Sequence, residues 1–274
     1  MEFSQYVKDA IKSVDYVDKD RDFHAVSLLR GAAENTENET DSHILSIIVG
    51  SMTMSYQSKE HSFAPLYIEY GVGRSFAPED LDEADLDVLR HVAQLTQSTC
   101  LRTRFAHIIW SITKEYPFGQ LAVTGYLDKF QKTFHPEHWV RCHDNIEAAY
   151  HIASSMGKSA DAFKQTRSTL LHKLREMNGS DPLFLSISLL ELVLKDLGKE
   201  ELPQYTAIAE NLFHRNTEVR NDNTHLADES FSILEAMYKR MNRVADLKVA
   251  KERYAAYYEA QARNRQIRKS ISAQ

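Results

Sequence analysis

Apolar residues recur at helical spacing through most of the chain. Phe3, Tyr6, Val7, Ala10, Ile11 and Val14 share one face of a first predicted helix, and a second is predicted from Asp22 to about Ala33. The polar run ENTENETDS then separates these from a third segment, His43 to Met54. Its Ile44, Leu45, Ile47, Ile48, Val49 and Met52 lie nearly all round the axis, the pattern of a buried helix. Leu101, Phe105, Ile108 and Ile112 form the stripe of another. Trp139, Cys142, Ile146, Ala149, Ala153 and Met156 step by three and four, and Phe163, Leu170, Leu174 and Met177 follow on a partner helix. Leu183 to Leu197 is apolar on every side, so it predicts a helix covered on several faces at the centre of the second half. Three more stripes follow: Tyr205, Ile208 and Leu212; then Ala227, Phe231, Leu234, Tyr238 and Met241; then Leu247, Ala250, Tyr254 and Tyr257.

The punctuation between these stripes sets the organisation. Residues 55–78 break the helical pattern with Pro65, Gly71 and Gly73 and short β-like runs, which predicts an extended loop. Pro78 and the acids Glu79, Asp80, Asp82, Glu83, Asp85 and Asp87 predict a helix start, because negative charge in a first turn complements the helix macrodipole. The run lacks the glycine and closing glutamate of a calcium loop. Gly157 with Ser159, Asn178 to Pro182, and Gly198 with Pro203 each supply a stop followed by a start. Hairpins therefore begin near 137, 181 and 224, a spacing of about 43 residues that falls in the range of α-solenoid repeats. The expected fold is all-α: an α-solenoid-like stack of helical hairpins, degenerate and TPR-like, over 135–274. An irregular helical subdomain with the extended loop at 55–78 precedes it over 1–134.

Composition narrows the picture further. Only 9 glycines and 6 prolines among 274 residues leave few tight turns, which favours long helices over a sheet. A net charge of −6 argues against nucleic acid and acidic membrane surfaces as partners of the whole chain. Cys100 and Cys142 sit in apolar stripes outside any Cys-x-x-Cys spacing and read as buried thiols of a reducing compartment. The start MEFSQYVKDA has no basic-then-apolar leader, and no stretch offers about 18 uncharged apolar residues, so the expectation is a cytoplasmic protein that does not span a membrane.

The stretch LRTRFAHIIW, Leu101 to Trp110, resembles the pattern Leu-Arg-x-Arg-φ-Ala-Asp-φ-φ-Trp, with φ apolar. That pattern marks the N-terminal helical domain of a family of large bacterial proteins of unknown function. The phrases GRSFAPEDLDEADLDVL upstream and HLADESFSILEAMYKRMNRVADLKVAKERYAAYYEAQA downstream are similar to its flanks, so the resemblance runs from about residue 65 to 262. The chain departs from the pattern at one position, where His107 stands in place of the family's aspartate. The resemblance implies a helical-repeat module of a bacterial stress or phage-defence system. Relatives of this kind often continue into a HEPN-type domain with an Arg-Asn…His motif.

Three constellations could carry chemistry or recognition. Arg220, Asn221 and His225 spell R-N-x-x-x-H, which resembles the HEPN ribonuclease motif, where a histidine moves a proton and an arginine stabilises charge on phosphate. Comparable Arg/His pairs at Arg102/His107 and Arg167/His172, with no asparagine beside them, set this against a capping role. His135, His138 and His143 form the densest group of metal-ligand types, but their spacing is not a zinc signature. Tyr254, Tyr257 and Tyr258 on a groove-lining stripe, with Arg102 and Arg104 pointing off the core stripe toward carboxylates of a neighbouring helix, are the candidate partner-contacting residues. Arg263, Arg265, Arg268 and Lys269 give the last helix a basic end suited to self-association. Phosphate-loop, dinucleotide and nucleophile-elbow motifs are missing, so no cofactor is expected. The sequence thus predicts a non-catalytic scaffold for a protein or peptide partner, with a HEPN-like ribonuclease or its regulatory half as the alternative.

Overall fold

The computed structural model describes residues 2–17, 23–54, 56–57, 62–63, 80–133, 139–177, 183–218 and 223–272. Its regular elements are helices, apart from one antiparallel pair of two-residue strands. In chain order they are α1 (Gln5–Ser13), α2 (Phe23–Asn35), α3 (Glu39–Thr53), β1 (Tyr56–Gln57), β2 (Ser62–Phe63), α4 (Glu83–Leu95), α5 (Thr99–Thr113), α6 (Tyr116–Thr133), α7 (Trp139–Ser155), α8 (Asp161–Met177), α9 (Leu183–Leu194), α10 (Leu202–Asn216), α11 (Thr224–Arg240) and α12 (Val244–Ser272). Tyr56 pairs with Phe63 and Gln57 with Ser62, inside the stretch expected to be an extended loop. No helix among the described residues is long and apolar enough to cross a membrane. Contacts divide the chain into two compact units: residues 1–133 with 144–166, and residues 134–143 with 167–274.

In the first unit α1 packs on α2 and α3, α3 on α2, α4 and α5, and α5 on α4 and α6. Val7, Ile11, Leu29, Leu45, Ile48, Met52, Leu89, Leu101, Phe105 and Ile108 meet in its core. Each such side chain contributes roughly 1.5–3 kcal/mol when removed from water, and helices of this length need that packing because they are marginal alone. The helix starts follow local chemistry. Asn38 accepts from the amides of Thr40 and Asp41, so α3 begins at Glu39, four residues before the expected His43, and keeps Glu39 and Asp41 in its first turn. Asp82 and Asp85 close a reciprocal capping box, so α4 starts at Glu83 and Asp80 lies before the helix. Pro78 and Glu79 lie outside the described residues.

Two interior glycines of α6 answer to α5. A Cβ on Gly119 would stand 2.8 Å from the Trp110 ring, and one on Gly125 would stand 1.9 Å from Thr103 Oγ1. Glycine weakens a helix by about 1 kcal/mol relative to alanine, and here it lets two backbones approach. Lys114 takes a left-handed φ of 57° to turn α5 into α6. Between α7 and α8 the turn rests on Gly157 at φ +104°, where a side chain would be strained.

The second unit stacks α9 to α12. Leu185, Ile187, Leu189, Leu190 and Val193 bury α9 on several faces against α10 and α11, as its all-round apolar pattern predicts. α10 packs on α9 and α11, and α11 packs on α9, α10 and α12. The first helix of one hairpin therefore touches the first helix of the next, the contact pattern of a helical stack. α7, α9 and α11 begin at Trp139, Leu183 and Thr224, close to the hairpin starts expected from spacing. Asn242 at φ 56° makes the tight turn from α11 into α12. The side chains of Trp139 and Cys142 lie outside the described residues.

Candidate functional site

The LRTRFAHIIW stretch is the interior of the first unit. Arg104 is 3% exposed. Its Nε donates to the Ser51 carbonyl at 3.2 Å and its Nη2 to the Met54 carbonyl, so the guanidinium serves carbonyls that the last turn of α3 leaves unpaired. Arg102 donates through Nη2 to the carbonyl of Thr96. These bonds run to main-chain oxygens, where carboxylates of a neighbouring helix were expected. The reason is geometric, since a buried guanidinium with five donors fits the converging carbonyls of a helix end. His107 is buried too, and its Nδ1 shares a 2.8 Å hydrogen bond with the hydroxyl of Tyr126, the rings meeting edge to face. Cys100, at the start of the same helix, is a fully buried thiol 3.5 Å from Lys129 Nζ.

The second unit gathers polar and aromatic groups where α11 meets α12. Tyr254 and Tyr258, one turn apart on α12, both donate their hydroxyls to Asp228 Oδ1 on α11, the former at 2.9 Å. Phe231 stacks on Tyr254 with centroids 4.3 Å apart, Tyr258 meets Tyr254 edge-on at 5.1 Å, and Phe213 of α10 touches Phe231 at 5.7 Å. Burial, and after it donation to the Asp228 carboxylate, raises both phenols above their ordinary range. Tyr257 differs from its neighbours. At 2% exposed it is a core residue of the seam and, like Arg104, faces inward where a partner-contacting side chain was expected.

Beside this seam Glu229 accepts a 3.1 Å ion-pair contact from Nε2 of His225, one turn earlier on α11. Its other oxygen, Oε2, is buried with no hydrogen-bond partner among the described residues. Burial raises the Glu229 carboxyl, the charges of Glu191 and Asp228 push the same way, and His225 opposes them. Asp228 and Glu229 escaped the sequence reading. Their signal was present in Tyr254 and Tyr258 at i and i+4 on a helix following a tight turn, but it identifies a carboxylate only once the antiparallel register is known.

Of the R-N-x-x-x-H group, Arg220 and Asn221 lie outside the described residues, while His225 sits in the first turn of α11 with its side chain 71% exposed. Asn223 caps that helix by accepting from the Leu226 amide. His135 and His138 also lie outside the described residues. His143 belongs to α7, where its ring meets Phe184 edge-on at 6.4 Å and its ligand atoms lie within 4.8 Å of those of Asp144 and Glu147 on the same helix. Glu147 stands four residues after His143 and three after Asp144, spacings that make side chains neighbours on one helix, so its approach to both follows from helical register.

The family described as "Domain of unknown function (DUF7380)" matches residues 4–165. The match ends inside α8, beside residue 166 where the first compact unit also ends. No curated protein and no solved structure matches the chain.

Proposed function

We propose that this chain, which belongs to the DUF7380 family through residues 4–165, is a non-catalytic, TPR-like helical scaffold that binds a protein or peptide partner. The observation that carries the reading is the pairing of Tyr254 and Tyr258 on Asp228. Half-buried aromatic rings whose orientation is already fixed lose little side-chain freedom on binding, which is why such residues anchor interfaces. They stand on a stack of helices, an architecture that presents long continuous surfaces. The resemblance of LRTRFAHIIW adds the setting, a bacterial stress or phage-defence system.

A photo-crosslinking residue at position 258, compared with one at the exposed Tyr6, tests the surface in cells. One partner captured at 258 alone, and lost on Asp228→Ala in the same background, supports the reading. Equal capture at both positions removes it.

The His225–Glu229 pair favours a second reading, a HEPN-like ribonuclease or its regulatory half using Arg220, Asn221 and His225. An exposed imidazole against a carboxyl with a raised pKa is a pair able to pass a proton. RNA cleavage by purified protein, abolished in Arg220→Ala and His225→Ala variants that keep their helicity, would establish it over the scaffold.

A further inference from the structure

The seam between α5 and α6 in the first unit holds a nucleophile that a scaffold role leaves unused. Trp110 lies over Gly119 and Thr103 over Gly125, which fixes an antiparallel register with the two backbones close together. The same register brings Cys100, in the first turn of α5, against Lys129, one turn after Gly125 on α6. Their Sγ and Nζ atoms stand 3.5 Å apart. The thiol is fully buried, while Lys129 is half-buried and its ammonium lies 5.7 Å from the centre of the Tyr126 ring.

Cys100 is the second residue of α5, directly after Thr99 and the N-cap Ser98, so it stands at the positive end of that helix. A helix N-terminus and a neighbouring lysine are two of the settings in which protein thiols become reactive. Cys100 has both, which sets it apart from a thiol sealed among hydrocarbon side chains.

We propose that Cys100 and Lys129 form a self-modification site, in which an oxidant of the peroxide class converts the thiol to a sulfenic acid that Lys129 captures as a reversible S–N cross-link, a sulfenamide, between α5 and α6. Attack of the sulfur on the peroxide breaks the O–O bond and forms an S–O bond, and hydroxide leaves. That hydroxide takes a proton from the Lys129 ammonium, giving water and a neutral amine. The amine nitrogen then attacks the sulfur. The S–O bond breaks, and its oxygen departs with a proton from the nitrogen as a second water. Sulfur loses two electrons and the peroxide gains them, so no further oxidant is needed. A small-molecule thiol reverses the step by attacking the sulfur and returning the amine.

The flexible stem of lysine lets Nζ close the remaining gap. Capture outruns a second oxidation because the amine is tethered beside the sulfur, at an effective concentration that dissolved peroxide does not reach. The product ties together two side chains 29 residues apart in sequence and removes one positive charge.

Peptide mass spectrometry on the full chain, treated folded with hydrogen peroxide and then digested, tests this. The expected product joins the peptides that carry Cys100 and Lys129, at their summed mass less two hydrogens. It should disappear on treatment with dithiothreitol and form at least tenfold less in urea, where the tethering is lost. Linked protein should unfold at higher urea than its reduced form, as a covalent cross-link restricts the unfolded chain. Lys129→Arg and Lys129→Gln should keep the parent's circular dichroism, give no link and leave the sulfenic acid open to trapping by dimedone. An unmodified Cys100 in the parent chain overturns the inference. So does a Cys100–Cys142 disulfide, a sulfinic acid with no link, a linked product that retains an oxygen, or a link that forms equally in urea.

Discussion

Gly125→Ala isolates the closest approach between α5 and α6. The added methyl would lie 1.9 Å from Thr103 Oγ1, 2.9 Å from its Cβ and 3.0 Å from its Cγ2, all well inside contact distance. Thr103 has little room to retreat. It is 1% exposed, and its hydroxyl is held by the Thr99 carbonyl at 2.6 Å. Two opposing effects compete. Alanine favours the helix by about 1 kcal/mol over glycine, while overpacking a filled interior costs roughly 1–3 kcal/mol and breaking the Thr103 hydrogen bond about 1 kcal/mol more. The net expectation is a loss of about 1–3 kcal/mol, read as an earlier urea transition of the first unit by circular dichroism. Gly31→Ala is the matched control, because a Cβ on Gly31 of α2 meets nothing within 4 Å. It should gain about 0.5–1 kcal/mol from propensity alone. Adding Thr103→Ala to the Gly125→Ala chain should recover part of the loss, since the hydroxyl contact goes and only the 2.9 Å Cβ contact stays. A Gly125→Ala protein as stable as the Gly31→Ala one would refute this account of helix approach.

Arg104→Ala should destabilise the first unit by about 2–4 kcal/mol, because two charge-assisted bonds to the Ser51 and Met54 carbonyls are lost in the interior; chemical denaturation with a midpoint like the parent's would contradict it. Asp228→Asn should move the tyrosine titration toward lower pH, because the carboxylate that raises Tyr254 and Tyr258 is gone, and an unchanged ultraviolet titration curve would show that burial alone acts. For Glu229 the folded carboxyl lies above its ordinary value, so the folded chain holds the proton more tightly than the unfolded chain. The resulting cost is absent in acid and appears as pH rises through the raised value. Glu229→Gln should therefore stabilise the second unit at neutral pH and do little in acid, and a gain equal at both pH values would rule out this origin.

Helical periodicity is a local property, fixed by neighbours three and four residues apart, and the sequence carried it openly. The all-round apolar face of α9, the stop at Gly157, and the hairpin starts near Trp139, Leu183 and Thr224 all follow from it, whereas α9 ends at Leu194, before the stop expected at Gly198. Scarce glycine and proline pointed to the all-helical class on the same ground. α3 begins earlier than its apolar stripe because a cap, and not a hydrophobic residue, decides where a helix starts. What periodicity leaves open is which faces meet, and so where a polar side chain goes. Arg104 leaves the apolar stripe of its own helix yet is buried, because α3 happens to end where the guanidinium can reach two carbonyls. Two tyrosines converge on Asp228 only because the turn at Asn242 sets the register of α12 against α11. Gly119 and Gly125 look like flaws in a helix until α5 lies against them. Each of these depends on contacts between residues distant in the chain, whose free energy exists only after the helices have docked.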